Sequence, residues 1–145
     1  MAFASLATDL VGSDLDGQQD IFVRDVVAGT TVRASLGPAG IEPNGPSSRP
    51  AISADGRYVV FESEAANLND GYVPPGSAWC YVRDLVANTT VHVVAPAPEQ
   101  TPDGGTQCPA ISADGHWIAF SSTDAALIGG DANGREDVFL RGAQP

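Results

Sequence analysis

An all-β fold of repeated antiparallel sheets follows from three features of this 145-residue chain. First, the stretch PAISADGRYVVFES at residues 50–63 returns as PAISADGHWIAFSS at residues 109–122. Second, short runs of β-branched and aromatic residues alternate with turn signals, and helical periodicity is absent. Third, Val59-Val60-Phe61 and Ile118-Ala119-Phe120 are apolar at consecutive positions, whereas a sheet with one wet face alternates apolar and polar residues. Each sheet is therefore expected to be buried on both sides. Four-stranded antiparallel sheets stacked face to face by a repeating unit are the blades of a β-propeller, so the predicted fold is a partial β-propeller. A β-sandwich containing a duplication is the competing arrangement.

The elements follow from aligning the copies. IFVRDVVAGTTVRAS at 21–35 matches CYVRDLVANTTVHVV at 80–94 at an offset of 59 residues, and DVFLRG at 137–142 matches the start of the latter at an offset of 58. The unit thus occurs nearly two and a half times. In the complete copy the expected strands are residues 50–53, 58–63, 80–86 and 89–95, with Ala54-Asp55-Gly56 as a tight turn. Gly29 and Asn88 share one slot in the turn between the third and fourth strands. These residue types adopt positive φ most easily, so the slot is expected to require it.

Phe3 aligns with Phe61 without a preceding PAISADG, and the last copy stops after its third strand. The expected organisation is residues 1–36 as strands two to four of one blade, 47–95 as a complete blade and 106–145 as strands one to three of another. Propellers close with about four to eight blades, so the chain reads as a piece of a longer propeller. Its terminal sheets are expected to expose apolar outer faces and to self-associate through them.

Ser-Ala-Asp-Gly before an aromatic-aliphatic strand, a strand ending in Val-Arg-Asp and a Thr-Thr strand together resemble the TolB-type, WD40-like β-propeller repeat of bacterial envelope and secreted proteins. The resemblance covers essentially the whole chain, with Ala54 and Ala113 where the usual repeat has proline. It implies a binding role, a protein partner and a periplasmic or extracellular location. It implies no catalytic residue, because enzymes carrying such propellers keep their chemistry on a separate domain.

Composition narrows the partners. A net charge of −11 and a pI near 4.2 repel nucleic-acid backbones and anionic bilayers and favour cations or basic surfaces. All seven basic residues are arginine, which excludes a Schiff-base lysine, a P-loop lysine and a serine–lysine dyad. The opening MAFASLATDLVGSDLDG lacks the basic start and apolar run of a secretory signal, and no stretch is long enough to span a membrane.

The loop between the second and third strands carries the candidate chemistry. DLDGQQD at 14–20 and DANGRED at 131–137 both read Asp-x-Asp/Asn-Gly-x-x-Asp. Calcium takes six or more oxygen ligands, often from acidic or amide side chains at alternating positions around a sharply turning glycine. Asp14, Asp16 and Asp20 in one copy, and Asp131, Asn133 and Asp137 in the other, are the candidate ligands, with backbone carbonyls and water completing the shell. The same letters also make good hairpin turns. In the middle copy Gly76 keeps the glycine slot while the ligand slots become Val73, Pro75 and Trp79. A turn retained without its carboxylates suggests that the carboxylates do more than turn the chain.

His92 and His116 show no acid or nucleophile pattern and are expected to be structural. Arg24, Arg83 and Arg141 recur in the third strand and are expected to pair with acidic neighbours. Cys80 and Cys108 fall on different blades, two strands apart, so no disulfide is expected. Loops two-to-three and the inter-blade connections leave a blade at the same end. That end collects Asp14, Asp16, Asp20, Asp70, Asp131 and Asp137 with the Pro/Gly-rich segments 37–48 and 96–107 into an acidic, adaptable face. The expected function is a non-catalytic binding or scaffold module for protein–protein interaction, stabilised by calcium. The alternatives are an accessory propeller of a secreted peptidase or polysaccharide-cleaving enzyme, and a calcium-dependent glycan-binding module in which exposed Trp79 or Tyr72 stacks on sugar. Trp117 is expected in the core, since it replaces Tyr58.

Overall fold

The computed structural model describes residues 1–12, 14, 16–69, 78–94, 106–124, 127 and 133–142. Three antiparallel sheets follow one another along the chain. The first holds β1 (Ala2–Ser5), β2 (Asp20–Asp25) and β3 (Thr30–Arg33). The middle sheet holds β4 (Ser47–Ile52), β5 (Tyr58–Ser63), β6 (Trp79–Asp84) and β7 (Thr89–His92). The third holds β8 (Thr106–Ile111), β9 (Trp117–Ser122) and β10 (Asp137–Gly142). Within each sheet, strands adjacent in sequence pair with one another, and no α-helix occurs among the described residues.

Local chemistry sets the turns. Asp25 Oδ1 accepts the Val27 and Ala28 N–H groups, and Asp84 Oδ1 accepts those of Val86 and Ala87. Each aspartate thus closes the turn after its strand, which is why β6 ends at Asp84 and not at residue 86. Gly29 and Asn88 take φ of 69° and 58° in the shared slot. β4 starts three residues earlier than expected because a bulge between Ser48 and Ala51, with Arg49 at φ 50°, lets pairing with β5 resume beyond it. β8 shifts register at the same point of the repeat, between Gln107 and Ala110.

The middle sheet explains the stack. Every residue of β5 and β6 is buried. Val59, Phe61, Trp79 and Tyr81 pack on Ile21, Val23 and Ala34 of the first sheet and its exit. Tyr58, Val60, Cys80 and Val82 pack on Ile118 and Phe120 of the third. A two-sheet sandwich covers each sheet on one face only, so burial of both faces replaces that alternative by the stacked blades of a partial β-propeller. One aromatic pair marks the same place in all three sheets: Phe3–Phe22, Phe61–Tyr81 and Phe120–Phe139, with ring centroids 5.8, 5.9 and 5.3 Å apart.

The two tryptophans exchange the places expected of them. Trp117 is 51% exposed and Trp79 is 1% exposed. Trp117, Val138 and Leu140 lie on the outer face of the third sheet in the slots of Tyr58, Cys80 and Val82, and among the described residues no further sheet covers them. Trp79 begins β6 at the interface with the first sheet.

Seams between sheets are tight where turns meet rings. A Cβ on Gly115, at φ 71°, would lie 2.6 Å from Tyr58 Cδ2, whereas one on Gly56 in the same slot, at φ 76°, would meet open space. Gly56→Ala is expected to cost about 1–2 kcal/mol from backbone strain alone. Gly115→Ala adds roughly 1–3 kcal/mol of overpacking to that strain. Urea denaturation of the two variants reads the difference, and equal losses would show that Tyr58 yields freely.

Candidate functional site

The acidic loop of the first sheet builds a buried charge cluster. Gly17 at φ 66° turns the chain, and Asp16 Oδ1 accepts the Gln18 N–H at 2.8 Å. The chain then enters β2 at Asp20. Pairing of Phe22 with Arg33 brings the Arg33 side chain onto the face that carries Asp20. Arg33 Nη1 lies 3.0 Å from Asp20 Oδ2 and 3.5 Å from Asp14 Oδ1, while Nη2 lies 2.7 Å from Glu42 Oε1. The Ser35 hydroxyl donates to Asp20 Oδ1 at 2.5 Å and accepts the Ile21 N–H at 3.0 Å. One carboxylate oxygen from each of Asp14, Asp16 and Asp20 falls within 4.8 Å of the others. Asp14 is 3% exposed, yet neither of its oxygens receives a hydrogen bond, and Asp16 Oδ2 receives none either.

Electrostatics follow from that geometry. Burial pushes the Asp14 carboxyl above its ordinary value of 3.8; Arg33 opposes this, and the charges of Asp16 and Glu42 add to it. Burial also raises Asp20, against the Ser35 hydrogen bond and Arg33. Arg33 feels the opposite pull of burial, but its bonds and charge contacts with Glu42 and Asp20 raise it on balance. Carboxyls with raised folded-state pKa contribute stability that is complete below 3.8 and lost as pH rises through the folded values. These two carboxyls therefore contribute less stability at neutral pH than in acid.

The middle copy replaces the cluster with rings. Trp79 stands in the slot of Asp20, His92 in that of Arg33 and Val94 in that of Ser35. The Trp79 and His92 rings lie 5.2 Å apart, His92 also meets Tyr81 edge-on at 5.0 Å, and its Nδ1 bonds the Val94 carbonyl. Burial, aided by the Arg141 charge, pulls the imidazole down to about 4, so it is neutral at pH 7. In the third copy Asn133 Oδ1 accepts the Arg135 N–H at 2.6 Å and Gly134 takes φ 61°, reproducing the turn of the first. Asn133 is exposed and Asp137 half-buried. Asp70, Tyr72, Val73, Pro75, Gly76 and Asp131 lie outside the described residues. Of the expected ligands among the described residues, Asp14, Asp16 and Asp20 come together, and Arg33, Ser35 and Glu42, which the sequence did not reveal, join them. The concerted exchange of Asp20 and Arg33 for Trp79 and His92 between copies was the available signal.

Two other expectations are corrected. Arg24 and Arg83 hold threonines and turn atoms in place of carboxylates. Arg24 Nη1 donates to Thr31 Oγ1 at 3.0 Å, and Arg83 donates to Thr90 Oγ1, Asn88 O and Asn88 Oδ1 at 3.2, 3.0 and 3.0 Å. The register places those threonines directly across the ladder. Arg141 donates to the Val93 carbonyl. Cys80 is disulfide-bonded, and Cys108 is the only other cysteine in the chain. Counting strands within flat sheets missed that stacking lays the start of β8 across the start of β6. There the Thr106 N–H reaches the Ala78 carbonyl at 3.2 Å, and the Cys80 N–H reaches Thr106 Oγ1 at 2.7 Å.

The other oxygen of the turn aspartate Asp84, Oδ2, is held by Arg57, whose Nε and Nη2 lie 3.1 and 2.7 Å from it. The Arg57 hydrogen bonds, against the effect of burial, hold Asp84 down at about 2. Depressed folded-state values contribute stability above the unfolded values and lose it as pH falls. As pH falls, His92 is therefore expected to cost stability from about 6.5 to 4 and Asp84 from about 3.8 to 2, against the opposite contribution of Asp14 and Asp20. Urea midpoints across pH should show the loss below about 3.8 shrink in Asp84→Asn, with Asp25, Asp55 and Asp114 supplying the remainder; a loss of unchanged size would refute the assignment.

The connections do converge at one end. Gln19 and Ser47 exchange bonds at 2.6 and 3.1 Å, tying the β1–β2 loop to β4. Asn67 Nδ2 donates to the Glu42 carbonyl at 2.8 Å, and Asn44 exchanges bonds with Ala66 and Asn67 at 2.7 and 3.0 Å. Between the middle and third sheets this end opens into a cleft of about 440 Å³ lined by Arg49, Glu62, Thr106, Gln107, Thr123 and Glu136. Arg49 Nη1 bridges Glu62 Oε1 and Gln107 Oε1 at 3.1 Å each.

The chain matches no protein-family model and no curated protein. Among solved structures it is similar to "putative TolB from Agrobacterium tumefaciens", with 19% sequence identity and a TM-score of 0.46 over 87% of this chain and 38% of that one. The chain spans well under half the length of that protein.

Proposed function

We propose that the chain is a non-catalytic interaction module whose loop end receives a segment of a protein partner bearing a basic side chain. The cleft carries this reading. It opens between two sheets, has the exposed Glu136 on one wall and Glu62, paired with Arg49, on the other, and belongs to a chain of net charge −11. Loops knit together on a rigid scaffold suit recognition, and an acidic surface steers cationic partners toward it. Burial removes Trp79 from the sugar-stacking role that glycan recognition assigned to Trp79 or Tyr72. The disulfide at Cys80 supports an oxidising compartment, outside the cytosol.

Titration of the labelled chain with a hexa-arginine peptide tests the reading by NMR. Chemical shifts are expected to move at Thr106, Gln107 and Glu136, with affinity falling as salt rises and several-fold in Glu136→Gln. Shifts confined to other surfaces, or an affinity indifferent to Glu136→Gln, would overturn it.

A further inference from the structure

We infer that Asp14, Asp16 and Asp20 together bind one calcium ion beside Arg33, at the root of the β1–β2 loop. This site is separate from the cleft and stands or falls independently of it.

Four observations carry the assignment. Calcium binds oxygen at about 2.3–2.6 Å, so ligands on opposite sides of one ion stand roughly 4.6–5.2 Å apart. Three carboxylate oxygens mutually within 4.8 Å fit around such an ion. Next, Asp14 is enclosed, yet both of its oxygens lack a donor, as does Asp16 Oδ2. A buried carboxylate that has left water without gaining donors is a site built for a cation. Arg33 does not supply what is missing. Its guanidinium is committed to Asp20 at 3.0 Å and Glu42 at 2.7 Å, which leaves Asp14 at 3.5 Å without a hydrogen bond. Three carboxylates face the one guanidinium and Asp16 stands beside two of them, which leaves a formal surplus of negative charge. Finally, every donor in the set is a carboxylate oxygen, which selects a hard cation over zinc or copper. Magnesium demands near-octahedral ligands at about 2.0–2.1 Å and keeps several waters, so the wider, adaptable set favours calcium.

The ion would act on the end of the stack through bonds already present. Asp20 begins β2, Arg33 reaches Glu42 in the connection toward β4, and Gln19 is bonded to Ser47. Holding Asp14 and Asp16 against Asp20 therefore stiffens the loop and the passage from the first sheet to the middle one. The inference is confined to this loop, because the described residues of the 131–137 loop contain no buried carboxylate without a donor.

Calorimetric titration of the chelator-treated chain with calcium chloride, and then with magnesium chloride, tests this directly. One equivalent of calcium is expected to bind, with magnesium at least tenfold weaker. Calcium at a hundredfold excess over Kd is expected to raise the melting temperature by about 5–10 °C. Asp14→Asn should abolish that rise while melting, without calcium, at or above the wild-type temperature, since a neutral amide no longer buries a charge. If that variant does not fold, Asp16→Asn at the less buried position should weaken calcium at least tenfold. Superimposed wild-type melts, no heat of binding, equal affinity for magnesium, or calcium binding unchanged in these variants would each overturn the assignment. A stability loss in calcium-free Asp14→Asn would show that Asp14 serves only as an ion-pair partner of Arg33.

Discussion

Replacing Arg33 with methionine is expected to destabilise the chain by about 3–5 kcal/mol at neutral pH without calcium. Methionine keeps much of the stem's length and packing but removes the positive charge that faces Asp14, Asp20 and Glu42. Breaking a buried pair by deleting one partner is costly because the other charge stays in the interior without compensation. Here two enclosed carboxylates, Asp14 and Asp20, are left in that state. The pH dependence distinguishes this cause from lost packing. Burial already raises both carboxyls, and removal of Arg33 raises them further, so the penalty is greatest at neutral pH and shrinks as acid protonates them. Urea midpoints at neutral and acidic pH measure it. A loss of the same size at both would assign the role of Arg33 to its aliphatic stem.

Phe61→Ala is expected to cost a further class of stability, about 3–5 kcal/mol, at any pH. Phe61 is fully enclosed in the middle of β5, stacks on Tyr81 with centroids 5.9 Å apart, and belongs to the core shared by the first and middle sheets. Truncation leaves a cavity that cannot close readily, because ladders on both sides of β5 fix its backbone. The contrast is Leu140→Ala, on the outer face of the third sheet at 66% exposure, which is expected to stay within about 0.5 kcal/mol of wild type. Equilibrium denaturation of the two variants, read at constant m-value, tests whether the sheets form one cooperative stack. A small loss for Phe61→Ala would mean that the first sheet contributes little to the cooperative unit.

Local signals were legible wherever neighbouring residues decide the conformation. The strand at Tyr58–Ser63 was read to the residue, because β-branched and aromatic side chains run between a Gly turn and a loop. The shared positive-φ slot of Gly29 and Asn88 was legible for the same reason. The bulges in β4 and β8 were not, since they answer to pairing with β5 and β9 and leave no mark in composition. In the acidic loop the candidate carboxylates Asp14, Asp16 and Asp20 were visible as a spacing. Their confinement by Arg33, Ser35 and Glu42 was not, because these residues reach the loop only through the β2–β3 register and the connection to β4.

By itself, the sequence determined a repeating all-β unit, the positions of its turns and the need for sheets covered on both faces. Those properties follow from backbone preference and side-chain polarity read along a few consecutive residues. Tertiary structure alone decided which sheet covers which face. It put Trp79 inside and Trp117 outside, engaged Cys80 in a disulfide, and gave Asp20 an arginine where the next copy has a pair of rings. The physical reason is that burial and charge pairing depend on contacts between residues distant in sequence, which arise only when the sheets stack.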